Sequence, residues 1–211
     1  MKSLLFIAGI LLFSCQSQGS KPVVEAIPVI DYQNLETATF AGGCFWCVEA
    51  SFEQIKGVVS AVSGYSGGKK STADYRLVSS GRTKHFEAVQ VFYDPEVIDY
   101  NTLLAIFFTT HDPTQTNGQG NDIGPQYRSA IFYHNDEQKK LAEAKIIELT
   151  PEFSRPIDTQ LIVFDTFYDA EEYHQDYEVK NPNNPYILAV SKPKIDKVAR
   201  KFKEILKEKE N

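Results

Sequence analysis

The chain has 211 residues, with 28 acidic and 22 basic side chains, a formal net charge of −6 and 42% hydrophobic residues. That balance is ordinary for a soluble globular protein and argues against nucleic-acid binding, because no stretch of the body concentrates Lys and Arg against phosphate. Only three cysteines and one Trp are present, so their placement carries information.

Lys2 followed by the apolar run Leu4 to Phe13 reads as an export signal, since the run is too short to span a bilayer. It ends in Leu12-Phe13-Ser14-Cys15, which resembles a bacterial lipoprotein cleavage box apart from the bulky Phe13. The resemblance implies a signal peptide over residues 1–14, with Cys15 acylated as the mature N-terminus and membrane anchor. Gln16 rather than Asp follows, which by the same resemblance points to the periplasmic face of the outer membrane. A plain secretory signal with a chance cysteine is the alternative; both readings place the protein outside the cytoplasm. Residues 15–35 mix Gln, Ser, Gly, Pro and Val without period and read as a tether. About 195 residues remain after the export segment, enough for one sizeable core in a single domain.

Thr37 to Ala41 is rich in β-formers and reads as a strand, broken by Gly42-Gly43. Phe45, Val48, Phe52 and Ile55 then recur at helical spacing until Gly57, so Cys44 falls at the first turn of a helix. Val58 to Tyr65 reads as a strand before the turn Ser66-Gly67-Gly68, Thr72 to Ser79 as a short helix, Phe86 to Tyr93 as a strand and Tyr100 to Thr109 as an apolar helix. His111 to Gln126 is a long Gly, Asn and Asp loop of the sort that carries function. Tyr127 to Tyr133 reads as a strand, a helix capped by Asn135 or Asp136 runs to Leu149, Thr159 to Phe164 is a strand, and Ala170 to Tyr177 a short helix. Residues 191–211 carry Ile195, Val198, Phe202 and Ile205 at helical spacing among lysines, a basic amphipathic helix expected to pack on the domain; contact with anionic lipid is the alternative. Partial alternation of strands and helices predicts a mixed α/β fold.

The densest chemistry lies in Gly42-Gly43-Cys44-Phe45-Trp46-Cys47. Residues three apart on a helix face the same way, with Cα atoms about 5 Å apart, within disulfide reach. The helix N-terminus favours a thiolate at Cys44, with Cys47 one turn further in, so Cys44 is expected to attack and Cys47 to follow. A structural disulfide would close only a tiny loop. A zinc half-site lacks partners, because His85, His111, His134 and His174 are scattered without ligand-pair spacing. A thioredoxin-like disulfide oxidoreductase is the sharper alternative, but its usual spacer holds Gly, Pro or His rather than two large aromatics.

Gly43-Cys44-Phe45-Trp46 after a strand resembles the type A peptide methionine sulfoxide reductases (MsrA family). The resemblance extends in order through Ser63-Gly64-Tyr65-Ser66-Gly67-Gly68, Tyr75, Lys84-His85-Phe86-Glu87-Ala88-Val89, His111-Asp112-Pro113-Thr114, Gln126-Tyr127-Arg128-Ser129-Ala130-Ile131 and Tyr173-His174-Gln175. It implies a single catalytic domain over residues 36–190, folded as an α/β (α+β) roll with a small mixed sheet flanked by helices. The implied reaction returns methionine sulfoxide, free or in protein, to methionine, acting on the S epimer at sulfur. By resemblance Cys44 attacks, Glu87 donates the proton to the sulfoxide oxygen, Tyr75 and Tyr127 hydrogen-bond that oxygen, Phe45 and Trp46 enclose the methyl group, and Asp122 helps hold the substrate backbone. Tyr186, in Asn183-Asn184-Pro185-Tyr186, is a candidate for a further substrate-site tyrosine.

These roles suit the residue types. A sulfoxide oxygen accepts hydrogen bonds well but leaves poorly, so attack at sulfur needs a nearby acid; a carboxyl among aromatics stays protonated. Read alone, Glu87 would be an outward strand residue, Tyr75 and Tyr127 half-buried tyrosines, Asp122 a turn residue and His174 a packed or hydrogen-bonding histidine. Attack would leave a sulfenic acid on Cys44, which Cys47 would convert to a disulfide for an external dithiol to reopen. Many relatives place their resolving cysteines near the C-terminus, where this chain has none, so recycling is expected through Cys47 or directly through an external thiol. No cofactor or metal is expected. The reductant is expected to be thioredoxin-like and, given export, periplasmic or membrane-linked.

Overall fold

Strand β1 (Glu36–Gly42) ends at the glycine pair and leads directly into helix α1 (Phe45–Glu53). A computed structural model describes residues 33–208 of the chain; the expected signal peptide, Cys15 and most of the expected tether lie outside the described residues. In chain order there follow β2 (Val58–Ser66), α2 (Tyr75–Ser79), β3 (Phe86–Tyr93), α3 (Tyr100–Thr110), a miniature hairpin of β4 (Gly118–Gln119) and β5 (Asp122–Ile123), and β6 (Ser129–Tyr133). Then come α4 (Asp136–Leu149), β7 (Gln160–Val163), β8 (Phe167–Asp169), α5 (Tyr177–Lys180) and α6 (Lys192–Lys201). Six strands form one sheet in the order β7-β6-β1-β3-β2-β8. Only β6 and β7 pair in parallel, across the crossover through α4, and the other pairings are antiparallel. The sheet is therefore mixed and flanked by helices, as expected.

The main core lies between the sheet and helices α1 and α3. Phe40 of β1 is fully buried there, its ring stacked on Phe52, Tyr100 and Phe107 at centroid distances of 5.3, 6.0 and 4.9 Å. A smaller cluster of Ala41, Phe86, Ala88, Ala130 and Phe132 covers the opposite face. Under β1 a buried polar chain joins two elements: His111 Nε2 lies 2.8 Å from Ser129 Oγ, which lies 2.8 Å from Thr159 Oγ1. Burial pushes His111 down to about 4, so its ring is neutral and can share these hydrogen bonds without a charge to solvate.

Several boundaries differ from the sequence expectation for local reasons. Helix α1 stops at Glu53, before Gly57. Helix α2 starts at Tyr75 rather than Thr72, because Asp74 caps it by accepting from the Leu77 N–H. Strand β6 starts at Ser129, since Pro125–Tyr127 forms a 3-10 turn instead of extended chain. The helix expected over Ala170–Tyr177 is replaced by a 3-10 turn, Glu172–His174, and then α5. Its continuity is broken at Asp176, with φ 51°, and at Gln175, whose side-chain amide bonds both the N–H and C=O of Ser63 at 2.9 Å, extending the edge of β2. Strand β8 was not anticipated; it fits against β2 because Gly64 has no Cβ, which would sit 2.4 Å from Phe167. The C-terminal helix is shorter than residues 191–211, running Lys192–Lys201 and giving way to a 3-10 turn at Lys203–Ile205. It packs on α1 and α3, with Val198 fully buried.

Phe40→Ala removes the ring on which three others stack and should cost about 3–5 kcal/mol of unfolding free energy. Urea denaturation checks this, and an unchanged midpoint would show that the stack does not hold the core together.

Candidate active site

Cys44 is the N-cap of α1, with φ −57° and ψ 123°, so it precedes the helix rather than forming its first turn. The bend that brings it there needs Gly43, whose φ of 97° suits glycine and whose Cβ would lie 2.9 Å from the Gln119 side chain. Next to it, the Phe45 N–H donates to Glu87 Oε2 at 3.2 Å. Glu87 sits second in β3, opposite Tyr65 of β2, with 2% of its surface exposed. Burial dominates its titration and pushes it up to about 8, against the opposing hydrogen bond from Phe45. Glu87 is therefore an inward, protonated acid and not an outward strand residue.

A cavity of about 270 Å³ opens beside these two groups. It is lined by Cys44, Phe45, Trp46, Tyr75, Glu87, Asp122, Tyr127 and Tyr186, all singled out by sequence, together with Asn184. Tyr75 opens α2 and Tyr127 closes the 3-10 turn before β6, so two phenols from separate elements reach one space. Burial raises both, Tyr75 to about 12 and Tyr127 further, so both remain neutral donors. Asp122 of β5 accepts from the Tyr186 hydroxyl at 2.6 Å, which fastens the functional loop to the C-terminal segment.

Trp46 is held on three sides. Its Nε1–H donates to His174 Nδ1 at 3.1 Å, its ring stacks on Tyr177 at 3.8 Å and 8°, and Tyr186 meets it edge-on at 5.8 Å. His174 is buried against Tyr75, 4.2 Å between centroids, and burial lowers its proton affinity. It is thus a hydrogen-bonding histidine behind the wall of the cavity. Glu171 works in the same layer, accepting from Tyr65 OH and from the Tyr75 N–H, each at 2.9 Å. Asn184, Tyr177 and Glu171 had no sequence signal beyond their proximity to the Tyr173-His174-Gln175 and Asn183-Asn184-Pro185-Tyr186 stretches.

Both cysteines are free thiols and buried, but only Cys44 lines the cavity. The expected resting thiolate at Cys44 is corrected by its surroundings. The first helical N–H is taken by Glu87, and burial, reinforced by Cys47 and Glu87, drives the Cys44 thiol well above the usual range. Cys47 moves the other way, down to about 7, through its hydrogen bond with Cys44 against an opposing cost of burial, helped by Lys194 and Ser191. The cavity can therefore offer a thiol, a protonated carboxyl and two phenols to one small polar group, with aromatic walls for an apolar neighbour. A larger groove of about 530 Å³ between α3 and α6 contains neither cysteine nor Glu87, so volume alone does not select the site. Among the described residues, no three His, Cys, Asp or Glu side chains are grouped so as to hold a metal ion.

The family model described as Peptide methionine sulfoxide reductase matches residues 36–206, which takes in α6. The peptide methionine sulfoxide reductase MsrA of Thermus thermophilus is 51% identical over 172 residues, covering 82% of this chain and 98% of that protein. Among solved structures, reduced Mxr1 from Saccharomyces cerevisiae superposes with a TM-score of 0.69 at 39% identity, over 73% of this chain and 90% of that one. Mxr1 in complex with Trx2 gives 0.50 at 30% identity, over 72% and 91%. With the family model matching residues 36–206 of the described 33–208 and a relative 51% identical over 98% of its own length, the chain belongs to the peptide methionine sulfoxide reductase family.

Proposed function

We propose that the family's reaction, thiol-dependent reduction of methionine sulfoxide to methionine, runs in this chain through Cys44, Glu87 and Cys47. The observation that carries the reading is the convergence of Cys44, Glu87, Tyr75 and Tyr127 on one aromatic-walled cavity. The substrate methyl group lies against Phe45 and Trp46, its oxygen between Glu87 and the two phenols, and its backbone near Asp122. Cys44 Sγ attacks the sulfoxide sulfur as Glu87 protonates the oxygen, and the Cys44 thiol proton replaces the one Glu87 has given. The oxygen ends on Cys44 as a sulfenic acid and methionine leaves, so sulfur of the substrate is reduced while sulfur of Cys44 is oxidised. Fixed stereochemistry of wall and acid selects the S epimer. Cys47 then displaces the sulfenic oxygen as water, forming the Cys44–Cys47 disulfide, and a thioredoxin-like dithiol reduces it; the complex of Mxr1 with Trx2 supports that class of reductant.

The protein as a whole is proposed to be an exported lipoprotein, anchored through acylated Cys15 and held off the periplasmic face of the outer membrane by residues 15–35. The support is the sequence Leu12-Phe13-Ser14-Cys15-Gln16. Metabolic labelling with a fatty acid should mark the wild type and not Cys15→Ser; equal labelling of both would remove the anchor.

Single turnover without reductant tests the thiol roles. Cys44→Ser should form no methionine, whereas Cys47→Ser should form about one methionine per chain and leave a sulfenic acid that a dimedone-type probe captures. Disappearance of that sulfenic acid in Cys47→Ser without added thiol would assign resolution to some other route.

Glu87→Gln keeps the shape and loses the acid, so the methionine-forming step should slow on the order of 10²–10⁴-fold. Because the acid form is the active one and its midpoint is about 8, the wild-type rate of that step should hold below that pH and fall above it. The residual rate of Glu87→Gln should lack that limb; a preserved limb would assign it to another group.

A further inference from the structure

Cys47 faces away from the substrate cavity, and what it faces is specific. Its thiol donates to Ser191 Oγ at 3.1 Å, across 144 residues of sequence, with Cys47 1% and Ser191 0% exposed. Ser191 closes a turn of π-helix, Ile187–Ser191, wedged immediately ahead of α6. Single π-turns are rare and recur at functional sites, where an inserted residue re-aims a side chain. The helix that follows carries no acidic residue in its first turn, and Lys192 and Lys194 stand there instead. Lys192 pairs with Asp196 at 3.5 Å, whereas the charge of Lys194 acts on Cys47.

We propose that Ser191 is a catalytic residue of the resolving step: its hydroxyl holds the Cys47 sulfur and, by rotating its hydrogen, donates to the thiolate that attacks the Cys44 sulfenic acid, with Lys194 as the supporting positive charge. A hydroxyl suits this task because it accepts from a thiol and donates to a thiolate without moving its oxygen. In the step, the Cys44–Cys47 S–S bond forms, the Cys44 S–O bond breaks, and the Cys47 thiol proton leaves with the oxygen as water. The other charged or titratable groups acting on Cys47 are Cys44 at the start of α1, whose hydrogen bond favours the thiolate most, Asp122 of β5, which opposes it, and Glu87 and Tyr186. Once Cys44 is a sulfenic acid its thiol no longer gives that hydrogen bond, and Ser191 and Lys194 remain. The π-turn and α6 thus form a resolving module, distinct from the residues that bind sulfoxide.

This inference rests on Cys47 as the resolving thiol, and the test separates the two. In the full-length protein, pre-reduced and freed of reductant, methionine formation and disulfide formation are timed separately after addition of methionine sulfoxide. Ser191→Ala should slow disulfide formation roughly tenfold or more, the scale of one lost hydrogen bond to a charged group. Methionine formation should keep its rate, and the pH midpoint of disulfide formation should rise. Ser191→Thr should restore the rate, and Lys194→Gln should produce a smaller change in the same direction. Wild-type resolution in Ser191→Ala, or equal slowing of both steps, would overturn the proposal. If instead Cys47→Ser resolves its sulfenic acid as fast as the wild type, the assignment of Cys47 fails, and with it the role of Ser191.

Discussion

The hydrogen bond from the Phe45 N–H to Glu87 Oε2 is the joint on which the site depends. It brings a carboxyl from the middle of the sheet to the start of α1, beside Cys44, in a place where water is largely excluded. A carboxylate at a helix N-terminus is ordinarily stabilised as the anion. Here only one such N–H reaches Glu87, and burial outweighs it, so the group keeps its proton. One contact therefore supplies the position of the acid beside Cys44, while burial first, and then Cys47 and Glu87, keep the thiol neutral.

Desolvation recurs behind the site. Glu49 and Glu53 of α1 are pushed up to about 8 and about 7, both by burial first and then by like charges. A carboxyl whose proton affinity is raised by folding stabilises the native state below its unfolded value and loses that contribution as pH rises through the folded one. For Glu87, Glu49 and Glu53 that window runs from the ordinary carboxylate range, about 4.5, to about 7–8. The domain thus gives up stability near neutrality where these carboxyls are buried. Active sites are where such concessions concentrate.

The C-terminal third closes the site after the sheet has been built. Tyr186 fastens to Asp122, Tyr177 and His174 fix Trp46, and Ser191 reaches Cys47. Each is a contact to a residue placed earlier in the chain. The amphipathic α6 was expected to pack on the domain, and it does so with Val198 fully buried against α1 and α3.

Much of the architecture was legible because it is local. The Gly42-Gly43 break, the helical spacing after Cys44 and the alternation over Phe86–Tyr93 each encode a backbone shape within a few residues, and the elements formed where those patterns lie. The family resemblance likewise named eight of the cavity's nine lining residues, all but Asn184, since side-chain identity is a property of sequence. The irregular turn through Glu172–His174, strand β8 and the π-turn were not legible, because they exist only as fits against a distant β2 or α1. The protonation of Cys44 was not legible either, whereas that of Glu87 was expected from a carboxyl among aromatics. By itself the sequence determined which thiols, acid and aromatics are present and which backbone carries them. The tertiary structure alone decided that Cys44 is neutral, that Glu87 meets Phe45 and that Ser191 meets Cys47, because burial and contacts spanning 42 to 144 residues set those energies.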